Sequence, residues 1–97
     1  MLYMVVERYV AGPGPVYERA STHGRMLPEV LRFLDSWIVY DDKLDRCFQL
    51  METDDPTLID RWCERWSDLT EFDVFPVIKS DEAAARVGVG WEGGVQT

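Results

Sequence analysis

His23 is the only histidine among the 97 residues. It is therefore the only side chain whose ordinary pKa brings a proton on and off near neutral pH. If the end of the first predicted helix and the end of the third predicted strand share one edge of a sheet, His23 meets Arg25, Glu52 and the Asp54-Asp55 pair there. A histidine oriented by a carboxylate can act as a general base, which makes His23 and Glu52 the candidate catalytic residues. A plainer role fits the same position: a histidine at a helix C-terminus, stabilised by the helix dipole and partly solvated.

Asp35, Ser36 and Gln49 are polar residues inside segments that otherwise read as buried strands. Buried polar groups need partners, so each is either paired within the protein or aimed into a polar cavity. Gln49 donates and accepts at once and is a candidate for orienting a ligand; a hydrogen bond across a subunit interface is its alternative. Trp37, Trp62 and Trp66 could wall a flat apolar site between a helix and the sheet, or could simply be core. If His23, Trp37, Gln49, Glu52, Trp62 and Trp66 serve a ligand, the structure should show a cavity of at least about 300 Å³ lined by some of them.

Other chemistries lack their residues. One histidine and two isolated thiols make no zinc spacing, and Asp41-Asp42…Asp45 lacks the calcium-loop pattern, so no metal site and no cofactor are expected. Gly12-Pro13-Gly14 offers prolines where a phosphate loop needs free amides, and no nucleophile elbow occurs. Eighteen acidic and ten basic residues give a net charge of −8, which argues against a nucleic-acid partner. No apolar run approaches the roughly 20 residues that span a bilayer, and the first residues lack the basic region and cleavage site of a signal peptide. Cys47 and Cys63 show neither C-x-x-C spacing nor scaffold density, which suits reduced core thiols in a cytoplasmic protein.

The elements that must position these residues follow from pattern. Leu2 to Val10 is β-rich, with Glu7 and Arg8 near its end. After the Ala11–Pro15 breaker, Pro15 suits a first helical position, and Val16 to Leu27 places Val16, Ala20, Gly24 and Leu27 on one helical face before Pro28. Val30 to Tyr40 reads as a strand with Leu31, Phe33, Asp35, Trp37 and Val39 on one side and Arg32, Leu34, Ser36, Ile38 and Tyr40 on the other. Arg46 to Glu52 is a third strand, apolar on both faces. Asp55 is the expected N-cap of a second helix on which Leu58, Ile59, Trp62, Cys63, Trp66 and Leu69 occupy an arc of about 140°. Phe72 to Ile78 forms a fourth strand, and Pro76 favours a sheet edge. Residues 1–80 thus form one α+β domain, followed over 81–97 by a short helical turn and a Gly-rich tail in which Trp91 could dock.

The order β-α-β-β-α-β is the ferredoxin-like arrangement: an antiparallel sheet with two helices on one face. The second and third strands carry large apolar groups on both sides, although a sheet with one wet face should alternate cleanly. A second copy packed against the bare face resolves this, giving a homodimer built as a dimeric α/β barrel. Four Trp, four Tyr and four Phe are a heavy aromatic load for one small core, which supports burial between subunits.

Several blocks carry a resemblance. Met1-Leu-Tyr-Met-Val-Val-Glu7, Gly24-Arg-Met-Leu-Pro28, Asp35-Ser-Trp37, Arg46 through Asp55, Trp62…Trp66-Ser-Asp-Leu69 and Phe72…Pro76-Val77 resemble a family of short bacterial proteins of unknown function, over about residues 1–80. That family is similar in layout to the dimeric α/β-barrel superfamily. The superfamily includes cofactor-free antibiotic-biosynthesis-type monooxygenases, muconolactone-isomerase-like enzymes and stress-response barrel proteins. The resemblance implies either a small apolar or aromatic ligand bound in a helix–sheet cavity, with cofactor-free oxidation or isomerisation by analogy, or a non-catalytic dimeric interaction or stress-response module. Fold analogy alone does not choose between them.

Overall fold

The computed structural model describes residues 1–90. Within them the chain runs β1 (Leu2–Tyr9), α1 (Pro13–His23), β2 (Arg32–Ile38), β3 (Arg46–Glu52), α2 (Thr57–Glu64), β4 (Thr70–Val77) and α3 (Ser80–Arg86). The expected docking of Trp91 lies outside the described residues. The strands form one open sheet in the order β2-β3-β1-β4, each neighbouring pair antiparallel. The architecture is α+β and compatible with a ferredoxin-like layout. Pro76 sits on the edge strand β4, where its missing N–H costs no ladder bond with a further strand.

Cross-strand register sorts the side chains into two faces. Ser36, Gln49, Val5 and Val74 form one row, and Ile38, Cys47, Glu7 and Phe72 form the next. These rows lie under α1 and α2, whose Val16, Leu58, Ile59 and Trp62 join Val5, Tyr9, Cys47 and Met51 in a single buried cluster. The opposite face carries the rows Trp37–Phe48–Val6–Asp73 and Asp35–Leu50–Met4–Phe75. Among the described residues, every member of the buried apolar core belongs to the covered side; α3 contributes none.

Strict alternation fails in β2. The register steps from Phe33↔Met51 to Asp35↔Leu50, so Leu34 is the extra residue of a β-bulge. Phe33 therefore shares the covered face with Ser36 and Ile38, whereas Asp35 and Trp37 turn to the open face. The assignment of Phe33, Asp35 and Trp37 to one side is corrected accordingly.

The helix boundaries also shift. α1 opens at Pro13 rather than Pro15, which fits proline's fixed φ and lack of an amide at a first turn. It stops at Gly24, four residues before Pro28: Gly24 takes φ 65° and returns its N–H to the Ala20 carbonyl at 2.8 Å. Before α2, the Asp55 carboxylate accepts from the Thr57 amide at 3.0 Å and the Thr57 hydroxyl at 2.6 Å. Asp55 thus shapes the entry through the residue two positions on, an Asx-type turn. α2 gives way at Arg65 to turns that carry Trp66 and Leu69, held by Trp66 N–H to Cys63 O at 3.0 Å and Leu69 N–H to Trp66 O at 2.9 Å.

Candidate functional site

Between the covered face of the sheet and the two helices lies a cavity of about 260 Å³. Its walls come from β1 (Glu7, Tyr9), α1 (Val16, Tyr17, Ala20), the α1–β2 loop (Arg25), β3 (Cys47, Gln49) and α2 with the turn after it (Trp62, Trp66). The aromatic side chains make an apolar wall; Glu7, Gln49, Arg25 and Ser36 make a polar end. The volume falls a little below the roughly 300 Å³ at which drug-sized sites begin, so the space suits a single-ring compound.

Glu7 is the unusual group. Its position in β1 aims it, with Tyr3, Val5 and Tyr9, at the helices, and it is 4% exposed. The Gln49 side-chain amide donates to its carboxylate. Burial raises the Glu7 pKa from 4.5 to about 7, against the opposing pull of the Gln49 hydrogen bond and the Arg25 charge. A carboxyl that exchanges its proton near neutrality is suited to general acid–base work. Its neighbours stay protonated: burial pushes the Cys47 thiol up to about 11 and the Tyr9 hydroxyl up as well, with Tyr9 and Cys47 beside one another.

Gln49 links this carboxyl to Arg25. Its Oε1 accepts from Arg25 Nε at 3.3 Å, and Arg25 Nη2 donates to the Ser36 hydroxyl at 3.1 Å. Ser36 and Gln49 face each other across β2 and β3, so both acceptors lie along one edge of the guanidinium. Arg25 Cζ stands 3.6 Å from the centroid of the Phe33 ring, a stacked cation–π contact that holds the plane.

The loop that presents Arg25 is fixed by α2. The Arg25 carbonyl accepts the indole N–H of Trp62 at 2.7 Å and that of Trp66 at 3.0 Å, and Arg65 Nη1 donates to the Met26 carbonyl. These bonds flank a left-handed residue, Met26 at φ 58°; farther along the same loop the exposed Val30 takes φ 61°. A β-branched residue in the left-handed region is costly, by about 1–3 kcal/mol, and persists only where its surroundings dictate it.

Three of the sequence-predicted residues meet here: Gln49, Trp62 and Trp66 all line the cavity. The tryptophans are at once core and wall, being 1% and 5% exposed, and each satisfies its N–H. Gln49 faces the helices and not the bare side of the sheet, so its bonds lie within the chain. Trp37 stands on the other face, 50% exposed, because the bulge reverses its direction. His23 is exposed at the last position of α1 and does not line the cavity. Glu52 takes Arg32 Nη1 at 2.7 Å in a row of the open face. No hydrogen bond or ion pair joins His23 to Glu52 among the described residues, and Asp54 lies 3.8 Å from the Met1 amino group. The cluster expected of His23, Arg25, Glu52 and Asp54-Asp55 is thus dispersed.

Glu7, Tyr9, Tyr17 and Cys47 were not singled out from sequence. The available signal was Glu7's place in the alternation Tyr3, Val5, Glu7, Tyr9, one acid among large apolar groups. Because β1 is apolar on both faces, the alternation did not say which face was covered. Among the described residues no group of three His, Cys, Asp or Glu could hold a metal ion, and no helix is long and apolar enough to cross a membrane.

A family model described as a domain of unknown function (DUF3303) matches residues 1–89, and the chain belongs to that family. The match continues past Ser80 through α3. No curated protein and no solved structure matches the chain.

Proposed function

Because that family carries no assigned activity, we propose from the cavity itself that the protein binds a small aromatic molecule between helices and sheet and moves a proton at its polar end. Glu7 is the proton acceptor, Gln49 and Arg25 orient the ligand, and Trp62 and Trp66 form the flat wall. The observation that carries this reading is a buried carboxyl, its pKa pushed up to about 7 by burial, that lines a cavity of about 260 Å³. Glu7 takes a proton from an acidic position of the ligand and returns it at another, which balances as an isomerisation and needs no co-reactant. Isomerisation is therefore favoured over oxidation. The free thiols Cys47 and Cys63 fit a cytoplasmic setting.

A second copy covering the open face completes the reading. Trp37 and Phe75 are 50% and 52% exposed there, in rows shared with the apolar Val6, Phe48, Met4 and Leu50. Contiguous apolar surface of this kind marks an association site, and a self-complementary patch gives a twofold dimer. A non-catalytic interaction module would be served by a filled core, and the polar-ended cavity weighs against it.

The decisive experiment is a thermal-shift screen of single-ring compounds, followed by NMR of the hits. A ligand at 100 times its Kd should add about 2.7 kcal/mol of stability and shift the indole N–H signals of Trp62 and Trp66. Solvent deuterium should enter a C–H acidic ligand with the wild type and not with Glu7→Gln. Screening without a compound that moves those signals would sink the reading. For the dimer, sedimentation should show two copies in the wild type and one in Trp37→Glu; a monomeric wild type at micromolar concentration refutes it.

A further inference from the structure

The polar end of the cavity contains Arg25, an exposed arginine that lies within reach of the Glu7 charge but forms no ion pair among the described residues. Its two side-chain partners, Gln49 Oε1 and Ser36 Oγ, are neutral. Those partners occupy the Nε–Nη2 edge of the guanidinium. The edge formed by Nη1 and the second Nη2 hydrogen keeps its donors, in the planar fork that matches a carboxylate. The group is also fixed in advance: Phe33 holds its plane, and two indole N–H groups hold its backbone carbonyl. Orientation that is already fixed costs little on binding.

From this we infer that the ligand is a small aromatic carboxylic acid, its carboxylate held by the free edge of Arg25 and its ring lying against Trp62 and Trp66. The inference rests on the cavity reading above and specifies its ligand class. A protein of net charge −8 repels anions at a distance, so selectivity for an acid over its neutral isostere must come from a local fork such as this one. The opposite end of such a ligand, if it carries a hydroxyl, reaches toward Glu7, because Gln49 spans the interval between the two charged groups.

The test compares 4-hydroxybenzoate with 4-hydroxybenzamide, two probes of nearly equal shape that differ in charge. Each is titrated into isotope-labelled wild type, Arg25→Gln and Arg25→Lys, with the Trp62 and Trp66 indole signals as readout. The acid should bind the wild type about tenfold or more tightly than the amide, and Arg25→Gln should bring the acid to the amide's level. Arg25→Lys, which keeps the charge and loses the fork, should fall between. Equal binding of acid and amide by the wild type overturns the inference while leaving the cavity reading standing, and so does an unchanged affinity of the acid for Arg25→Gln. If neither probe moves the indole signals of the wild type, inference and cavity reading fall together. Should Arg25→Gln not fold, the wild-type comparison of acid and amide decides alone.

Discussion

On its covered face the sheet presents Glu7, Gln49 and Ser36 among Val5, Cys47 and Ile38, whereas its open face carries Trp37, half exposed, beside the partly buried Phe48, Val6, Leu50 and Met4. Neither face keeps strictly to the usual division, in which the buried side of a sheet is apolar and the bare side polar. The covered face holds Glu7 and Gln49 within the apolar core. The open face mixes its apolar groups with Asp35, Asp73 and the Arg32–Glu52 pair. Each departure has a physical cost. Keeping an ionisable carboxyl at 4% exposure sacrifices solvation, and leaving Trp37 half in water sacrifices burial. The first is offset locally by Gln49 and Arg25. The second is offset only when another surface meets it. The covered face thus keeps a buried carboxyl with its partners inside the chain, and the open face keeps Trp37 half exposed.

The largest test of the covered face is Trp62→Ala. Trp62 is 1% exposed, packs on Phe72 with ring centroids 5.7 Å apart, and anchors the Arg25 carbonyl. Its truncation should lower the unfolding free energy by about 3–5 kcal/mol in urea titrations; a loss under about 1 kcal/mol would mean that this face is not the core.

A smaller effect isolates Glu7. Its native pKa of about 7 exceeds the unfolded 4.5, so the native state holds the proton more tightly. The associated stability is present below about pH 4.5 and is lost as pH rises through 7, roughly 3 kcal/mol in all. Glu7→Gln removes that loss. The stability difference between wild type and variant should therefore change by about this amount between acid and alkaline buffer, with the variant favoured at the alkaline end. A pH-independent difference would show that Glu7 is solvated like any surface acid.

The smallest effect concerns the rim. Arg19 grips Asp68 through two bonds of 2.9 and 2.6 Å and lies over the Trp66 ring at 5.4 Å, and this pairing holds the Asp68 carboxyl below its usual range. Asp68→Asn should lower the melting temperature slightly, and added salt should erase the difference. A large, salt-independent loss would move this contact from rim to core.

Much of this arrangement was legible in the residues. Arg46–Glu52 alternates Cys47, Gln49 and Met51 with Phe48 and Leu50, and that pattern placed β3 with its observed boundaries. The arc of Leu58, Ile59, Trp62 and Trp66 gave the buried side of α2. The candidate site was only half legible. Gln49, Trp62 and Trp66, which line the cavity, stand out in the sequence because polar groups in strands and aromatics on a helix arc are local signals. Glu7 was missed because its meaning depends on which face the helices cover, a tertiary fact. Trp37 was misplaced because a bulge leaves no mark in alternation. His23 and Glu52 were paired on an assumed shared edge, but Arg32 claims the glutamate.

The bulge in β2 also bears on how this chain can change length. Two residues, Leu34 and Asp35, stand opposite the single Leu50. Losing Leu34 would leave a regular strand with every remaining side chain on its present side. Losing Ser36 would instead remove an Arg25 partner, and absorbing the gap would push Asp35 under the helices opposite Gln49. One codon is therefore dispensable where its neighbour is not, so β2 carries its own tolerance for deletion at a single address.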